Sequence, residues 1–376
     1  MSAQLHGFSD ERFLPLRDAF AANFEDGLEV GASLCVTLHG ETVVDLWAGW
    51  ADVAQTRPWE KDAIAPVSST TKIAVTLLLL MLVDRGLIEL DAPIATYWPQ
   101  FAQGGKARVT VRDLFTHQAG APGFTPGVDT PIFLDWEASV ARVAAEPHWF
   151  GGERRVIYHA FTYGLIGGEL IRRVDGRMPA RFFREEVAER AGLDFHFGMA
   201  EVPRPALVAE TTPLAPPEAQ PEAEALLQRL LGSIRWVDSV SPKATLNPSG
   251  NGLAGARAIA RLCAIFAGGG VFGGTRYLSS SLVDEARREQ ANGKCPYLGW
   301  LRMGLGLGLN GPGFSFYPSA DGCGWGGTGG SVGWMDTRLG YSLGYAPNNW
   351  SAMPTTDKRV ARLSQGMRQA LAGLGS

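Results

Sequence analysis

The sequence predicts a two-subdomain α+β fold in which one antiparallel sheet, flanked by the terminal helices, is interrupted by a mainly helical subdomain. Three observations predict it. Hairpin patterns stand near both ends of the chain, amphipathic helices lie outside them, and the stretch between carries a series of helices closed by glycine.

In chain order, Phe13, Leu16, Phe20 and Phe24 fall at helical spacing over residues 10–24. Ala32 to Trp47 holds two apolar β-rich runs around His39-Gly40-Glu41, the pattern of a hairpin. Ile73 to Asp84 is an apolar helix closing at Gly86, and Val111 to Thr116 opens a short helical turn. Phe161 to Val174 closes at Gly176, and Ala254 to Phe266 closes at Gly268. Residues 211–222 are proline-rich and read as an exposed loop. A second hairpin follows, Ser331 to Met335 and Tyr341 to Ala346 around Asp336-Thr-Arg-Leu-Gly340, before a last helix over 357–373. The expected division is a single domain, with an α/β subdomain of residues 1–85 and 296–376 and a mainly helical subdomain of residues 86–295.

With 376 residues, 45% hydrophobic and 19% charged, and a net charge of -4, the chain can bury a large core and offers no basic face for nucleic acid. The N-terminus lacks a basic start followed by an apolar stretch, so a cytoplasmic location is expected. The longest apolar run, Ile73 to Val83, is about half of what a bilayer span needs, which argues against a membrane partner. Cys35, Cys263, Cys295 and Cys323 are scattered and have no histidine cluster beside them, so they read as reduced thiols filling the core, with no metal and no cofactor implied.

Val67-Ser-Ser-Thr-Thr-Lys-Ile73 places Ser69 three residues before Lys72 at the start of the apolar helix. Residues i and i+3 share a helix face, with Cβ atoms roughly 5–6 Å apart, so the amine reaches the hydroxyl. A lysine pressed into an apolar helix loses hydration, and its pKa falls from the usual value of about 10.4. The helix N-terminus adds free N–H groups suited to a developing oxyanion. An isolated S-x-x-K is more often a capped helix start with a solvated lysine. Here the chain has six lysines and a single S-x-x-K, and the helix is apolar on nearly every face.

Two further segments offer partners. Gly151-Gly-Glu-Arg-Arg-Val-Ile-Tyr158 sets a tyrosine just before a helix, where nearby cations would lower its pKa toward a useful base; alone it reads as a packed aromatic. Gly322-Cys-Gly-Trp325-Gly-Gly-Thr328-Gly-Gly-Ser331 is glycine-rich and runs into a strand, so its backbone can approach a ligand and present N–H groups, or simply turn.

Taken together, Ser69-Thr-Thr-Lys72, Tyr158-His-Ala160 and Trp325-Gly-Gly327 resemble the serine β-lactamase and penicillin-binding superfamily, most of all the family VIII carboxylesterases of the class C β-lactamase-like group. Gly86 to Pro93, Val109 to Gly120 and Ala254 to Arg257 extend the likeness over most of residues 10–350. It implies a β-lactamase/DD-peptidase-like fold and a single catalytic domain. It further implies Ser69 as nucleophile, Lys72 as its proton partner, Tyr158 as base and then acid, and an oxyanion hole from the Ser69 and Thr328 N–H groups. Which of Lys72 and Tyr158 takes the first proton is open in related enzymes, and the two are treated as one coupled unit.

The departures from the pattern favour an ester over a β-lactam. Trp325 stands where lactamases of this group have a lysine, and Ala160 where they have an asparagine, so polar recognition of the antibiotic is lost while acyl transfer is kept. The expected function is a serine carboxylesterase acting on a small-molecule ester. A β-lactamase, a D-amino-acid peptidase or amidase, and a non-catalytic module of the same fold are the alternatives. Substrate-binding candidates are Trp325, Gly326, Gly327, His159 at the cleft rim, Phe124, Trp149 and Trp236. His117 is expected to bond a buried backbone group. Gly329-Gly-Ser331-Val-Gly333 matches a nucleophile elbow, but a strand follows where a helix is required, and the last histidine is His196. Gly306 to Gly311 matches a dinucleotide fingerprint, but Pro312 stands where its helix would begin.

Overall fold

The computed structural model describes residues 4–124, 130–212, 247–312, 315–350 and 356–374. Among them, nine strands form one antiparallel sheet, and its order explains how distant motifs meet. It runs β1 (His6–Ser9), β3 (Glu41–Gly49), β2 (Gly31–Leu38), β14 (Tyr341–Pro347), β13 (Val332–Asp336), β12 (Cys323–Gly326), β11 (Gly308–Leu309), β10 (Gly299–Met303) and β9 (Ala291–Cys295). The expected hairpins are β2 with β3 and β13 with β14, and the two join by pairing β2 to β14, with Cys35 opposite Gly344. The central strands β13 and β14 are buried throughout, whereas β3, nearer the edge, alternates between buried and half-buried positions. A small sheet of β4 (Ala65–Ser68), β6 (Gly252–Ala254) and β5 (Phe195–Phe197) lies beside it, and β7 (Val271–Phe272) with β8 (Thr275–Arg276) makes a ribbon.

The helices that frame the site are α1 (Leu14–Glu25), α2 (Thr71–Asp84), α3 (Val111–Phe115), α4 (Trp136–Ala145), α5 (Thr162–Asp175), α6 (Ala256–Ala267) and α7 (Lys358–Leu374). The terminal helices α1 and α7 pack together, with Phe13, Leu16 and Phe20 buried. Their approach is close: a Cβ on Gly366 would stand 2.7 Å from the Pro15 carbonyl oxygen.

Helix α6 corrects the expected division of the chain. Residues 256–267 were assigned to the helical subdomain, yet α6 lies on β13, β14 and β2. The paired glycines Gly333 and Gly344 make the groove that receives it, since a Cβ on Gly344 would meet the Ala256 carbonyl oxygen at 2.2 Å. Strand β9, also placed in that subdomain, is the edge of the sheet. A 3.6-residue apolar period shows that a helix is buried on one side; it does not show which layer it faces.

Helix α2 packs against α5, and every residue from Thr71 to Leu82 is buried. No helix of the described residues is long and apolar enough to cross a membrane. The four cysteines are buried free thiols, and burial pushes Cys35 up to about 12. From residue 213 onward the proline-rich stretch lies outside the described residues, as does Trp236.

Candidate active site

Strand β4 delivers the chain into the tight turn that starts α2. Ser68 there has φ +43°, a left-handed conformation that L residues avoid and that concentrates at functional turns. The turn is fastened on both sides. Thr71 Oγ1 donates to the Ser68 carbonyl (2.5 Å) and accepts the Gly252 N–H (2.9 Å). Ser331 Oγ donates to the Val67 carbonyl (2.8 Å) and lies 3.0 Å from Thr70 Oγ1. Ser331 is therefore buried and engaged, which agrees with its rejection as a rival nucleophile.

Ser69 stands at this turn with 7% of its surface exposed. Two groups reach its oxygen. Lys72 Nζ lies 3.2 Å away, and Tyr158 Oη donates to it at 2.7 Å. Lys72 is 1% exposed and donates to the Ala160 and Ser249 carbonyls, both at 2.8 Å. These partners are neutral dipoles, so burial dominates and pushes the amine well below its ordinary range. For Tyr158 the outcome differs from the expected one: burial raises its phenol well above the usual value, against the lowering that nearby cations were expected to cause. Burial is the dominant cause, only partly offset by the hydrogen bonds to Ser69 and Trp325, and the nearby cations Arg154 and Arg155 are exposed and paired with Asp113 and Glu153 instead.

Ser249 was not singled out in the sequence. Its hydroxyl donates to the Phe161 carbonyl (2.6 Å) and accepts the Gly164 N–H (2.7 Å), which aims its own carbonyl at Lys72. The available signal was Gly164, where a Cβ would stand 2.2 Å from the Ser249 nitrogen. Tyr297 is a second omission: its hydroxyl donates to the Tyr158 carbonyl and fixes that backbone.

The third motif closes the site. A Cβ on Gly327 would meet the Val67 carbonyl oxygen at 2.2 Å and the Ser69 nitrogen at 3.1 Å, so only glycine lets the strand reach the Ser69 turn. The Gly327 N–H bonds Ser331 O (2.8 Å) and the Gly330 N–H bonds Gly327 O (3.0 Å), while the N–H groups of Ser69 and Thr328 have no partner among the described residues. Trp325 is 2% exposed, with Nε1–H 3.4 Å from Tyr158 Oη and its ring against those of Tyr158 and His117.

Two candidates from the sequence sit elsewhere than expected. His159 is fully buried, not at a rim: Nδ1 donates to the Ile157 carbonyl (2.7 Å), because a carbonyl there requires the proton on that nitrogen. Phe124, at 1% exposure, packs edge-on against Phe133 inside the core. Trp149 is half-buried, its backbone N–H donating to the Gly120 carbonyl and its indole N–H to Glu146 Oε2. His117 matches its reading: Nδ1 accepts the His159 backbone N–H (3.2 Å), and its φ of +59° is a second strained residue beside Tyr158.

A hydroxyl held between a desolvated amine and a phenol, at the mouth of a buried helix on this sheet, defines a serine hydrolase. The chain belongs to the Beta-lactamase family, whose model matches residues 20–366. It is similar to the Esterase/beta-lactamase LipL of Mycobacterium tuberculosis, 35% identical over 370 residues that cover 92% of this chain and 83% of that protein. It is also similar to the Esterase EstB of Burkholderia gladioli, at 29% identity with 84% of each chain covered. Among solved structures, a family VIII carboxylesterase superposes with TM-score 0.89 at 35% identity, covering 98% of this chain and all of the other. A penicillin-binding protein homologue from Caulobacter crescentus gives 0.88 at 34%, with 98% and 100% covered.

Proposed function

We propose that the protein hydrolyses carboxylic esters through an acyl-enzyme on Ser69. The observation that carries this reading is the set of contacts around Lys72. A neutral amine has two N–H bonds and one lone pair; the Ala160 and Ser249 carbonyls take the two hydrogens, and the lone pair is left facing Ser69 Oγ. Lys72 then accepts the serine proton as Oγ adds to the ester carbonyl, and the oxyanion accepts hydrogen bonds from the Ser69 and Thr328 N–H groups.

Tyr158 enters the reaction protonated. Its O–H, directed at Oγ, passes its proton to the departing alcohol oxygen, and the Lys72 ammonium restores the phenol. Water repeats the sequence in reverse to release the acid. The two groups act as one unit, and their apparent pKa values belong to the pair.

Esters are favoured over β-lactams because Trp325 offers a single neutral N–H, already near Tyr158 Oη, where a carboxylate would need a cation. The names of similar proteins, esterase for both curated relatives described above, support the same substrate class. The first of them also carries the word β-lactamase, so a chromogenic cephalosporin belongs beside the esters in the assay. Purified protein should hydrolyse short p-nitrophenyl esters, a fluorophosphonate should label the peptide containing Ser69, and Ser69→Ala should abolish both. Full esterase activity in Ser69→Ala, or labelling at Ser331, would overturn the reading.

A further inference from the structure

The turn Gly327–Gly330 has no side chain of its own to hold it beyond Thr328. Gly329 and Gly330 have φ of +98° and +100°, and glycine loses the most backbone freedom on ordering, so a donor carried by such a turn needs support from outside. Toward Ser69 that support is Ser331. On the opposite side it is Arg359, at the start of α7 and 3% exposed. Its Nη2 donates to the Gly329 carbonyl at 3.0 Å and to Asp357 Oδ2 at 2.7 Å; Nη1 donates to the Asn349 carbonyl at 2.6 Å and to Glu29 Oε2 at 2.9 Å; Nε donates to Asp357 Oδ1 at 3.0 Å. A Cβ on Gly330 would stand 2.6 Å from both Arg359 Nη2 and Asp357 Oδ2, and one on Gly329 would stand 2.7 Å from Trp350.

We infer that Arg359 is a positioning residue for the acyl-transfer step: it clamps the Gly329 carbonyl and thereby fixes the direction of the Thr328 N–H one residue earlier. The inference rests on the esterase reading above. A planar guanidinium suits the task because its fixed fork serves two carbonyls and two carboxyl groups at once, in a buried setting. The cluster draws on three separated segments: Glu29 before β2, Asn349 after β14, and Asp357 with Arg359 at α7. The turn is thereby referred to the rigid sheet.

The test first requires that wild type hydrolyse p-nitrophenyl acetate with Ser69 labelled; failure there removes the esterase reading and leaves the geometry of the clamp aside. Given that activity, Arg359→Met and Arg359→Lys are compared with wild type. Removing one oxyanion donor outright costs about 10²–10³ in kcat, so a donor that is misdirected should cost roughly 10-fold to 100-fold. The expected result is that fall in kcat with KM changed by less than about twofold, a parallel fall in the rate of phosphonylation, and an acyl-enzyme carbonyl band shifted to higher infrared frequency. Lysine keeps the positive charge beside Asp357 and Glu29 but cannot reach both carbonyls, so it should fold and show the same loss in smaller degree. A cooperatively melting variant with wild-type kcat, or one altered in KM alone, overturns the inference. Failure of Arg359→Lys to fold also overturns it, because the cluster would then serve the docking of α7 instead of the turn.

Discussion

Two buried cations flank the same nucleophile turn, and they are opposites. Lys72 is surrounded by carbonyls and hydroxyls with no carboxylate in contact, and burial drives it toward the neutral form. Arg359 is clasped by Asp357 and Glu29, and its charge is reinforced. Of its two acids, Glu29 is held toward the neutral form, pushed up to about 8 by burial despite the neighbouring guanidinium. A buried cation given counter-charges is a structural pin; one given only dipoles becomes a proton acceptor. Lys106 sharpens the point. It too donates to carbonyls, those of Gln103, Ala144 and Glu146, and burial lowers it to about 8 against the opposing charge of Glu146, but among the described residues no hydroxyl is hydrogen-bonded to it, and it ties α4 to the turn at Gln103. Desolvation makes a base available; on the proposed mechanism, the Ser69 hydroxyl 3.2 Å away is what gives that base a proton to take.

The largest effect should come from breaking the first member of this pair. Lys72→Met is expected to lower kcat for p-nitrophenyl acetate by about 10³-fold or more, within the range for loss of a general base. On the proposed mechanism, the active form in wild type is the neutral amine. Because its pKa is lowered, kcat/KM should rise with pH through a single acid limb lying well below the ordinary lysine range, then stay flat, since Tyr158 with its raised pKa keeps its proton. An acid limb persisting unchanged in Lys72→Met would assign it elsewhere.

Tyr158→Phe comes next, at about 10²-fold in kcat for an alkyl ester. The loss should shrink for p-nitrophenyl esters, whose leaving group departs without a proton, and steady-state rates on the two ester types measure the difference. Equal losses would make the phenol a positioning group and not an acid.

The smallest effect concerns the other member. The folded pKa of Glu29 is raised to about 8 from 4.5, so its contribution to stability is complete below the unfolded value and is lost as pH rises through the folded one. Over that window wild type should lose up to about 1.4 kcal/mol per pH unit relative to Glu29→Gln, and the Tm difference between the two, followed by thermal melts from mildly acid to mildly alkaline buffer, should change accordingly. Parallel Tm curves would mean that Glu29 is ionised in the folded protein.

The sequence made some of this comparison legible and hid the rest for physical reasons. Ser69 and Lys72 are three residues apart on one helix, a relation that local geometry dictates, and Gly327 had to be small for the strand to touch the turn. The paired hairpins were readable because their alternation and turns are local. Partners supplied by tertiary contact were not: Glu29 and Arg359 are separated by 330 positions, and Ser249 acts through a carbonyl that every residue possesses. The burial of His159 and Phe124, and the rise of the Tyr158 pKa, follow from packing that no spacing encodes. Helix α6 was found but assigned to the wrong layer, since its apolar face fits a sheet as readily as another helix.

The pairing of β2 with β14 has a temporal meaning. Residues 31–38 must wait for residues 341–347 before the sheet that carries the nucleophile turn can close, and Arg359 arrives later still. Such long-range closure is slow compared with local helix formation, and domains of this size commonly pass through partly built states. On the ribosome, the segment bearing Ser69 and Lys72 is therefore made well before the strand that completes its sheet.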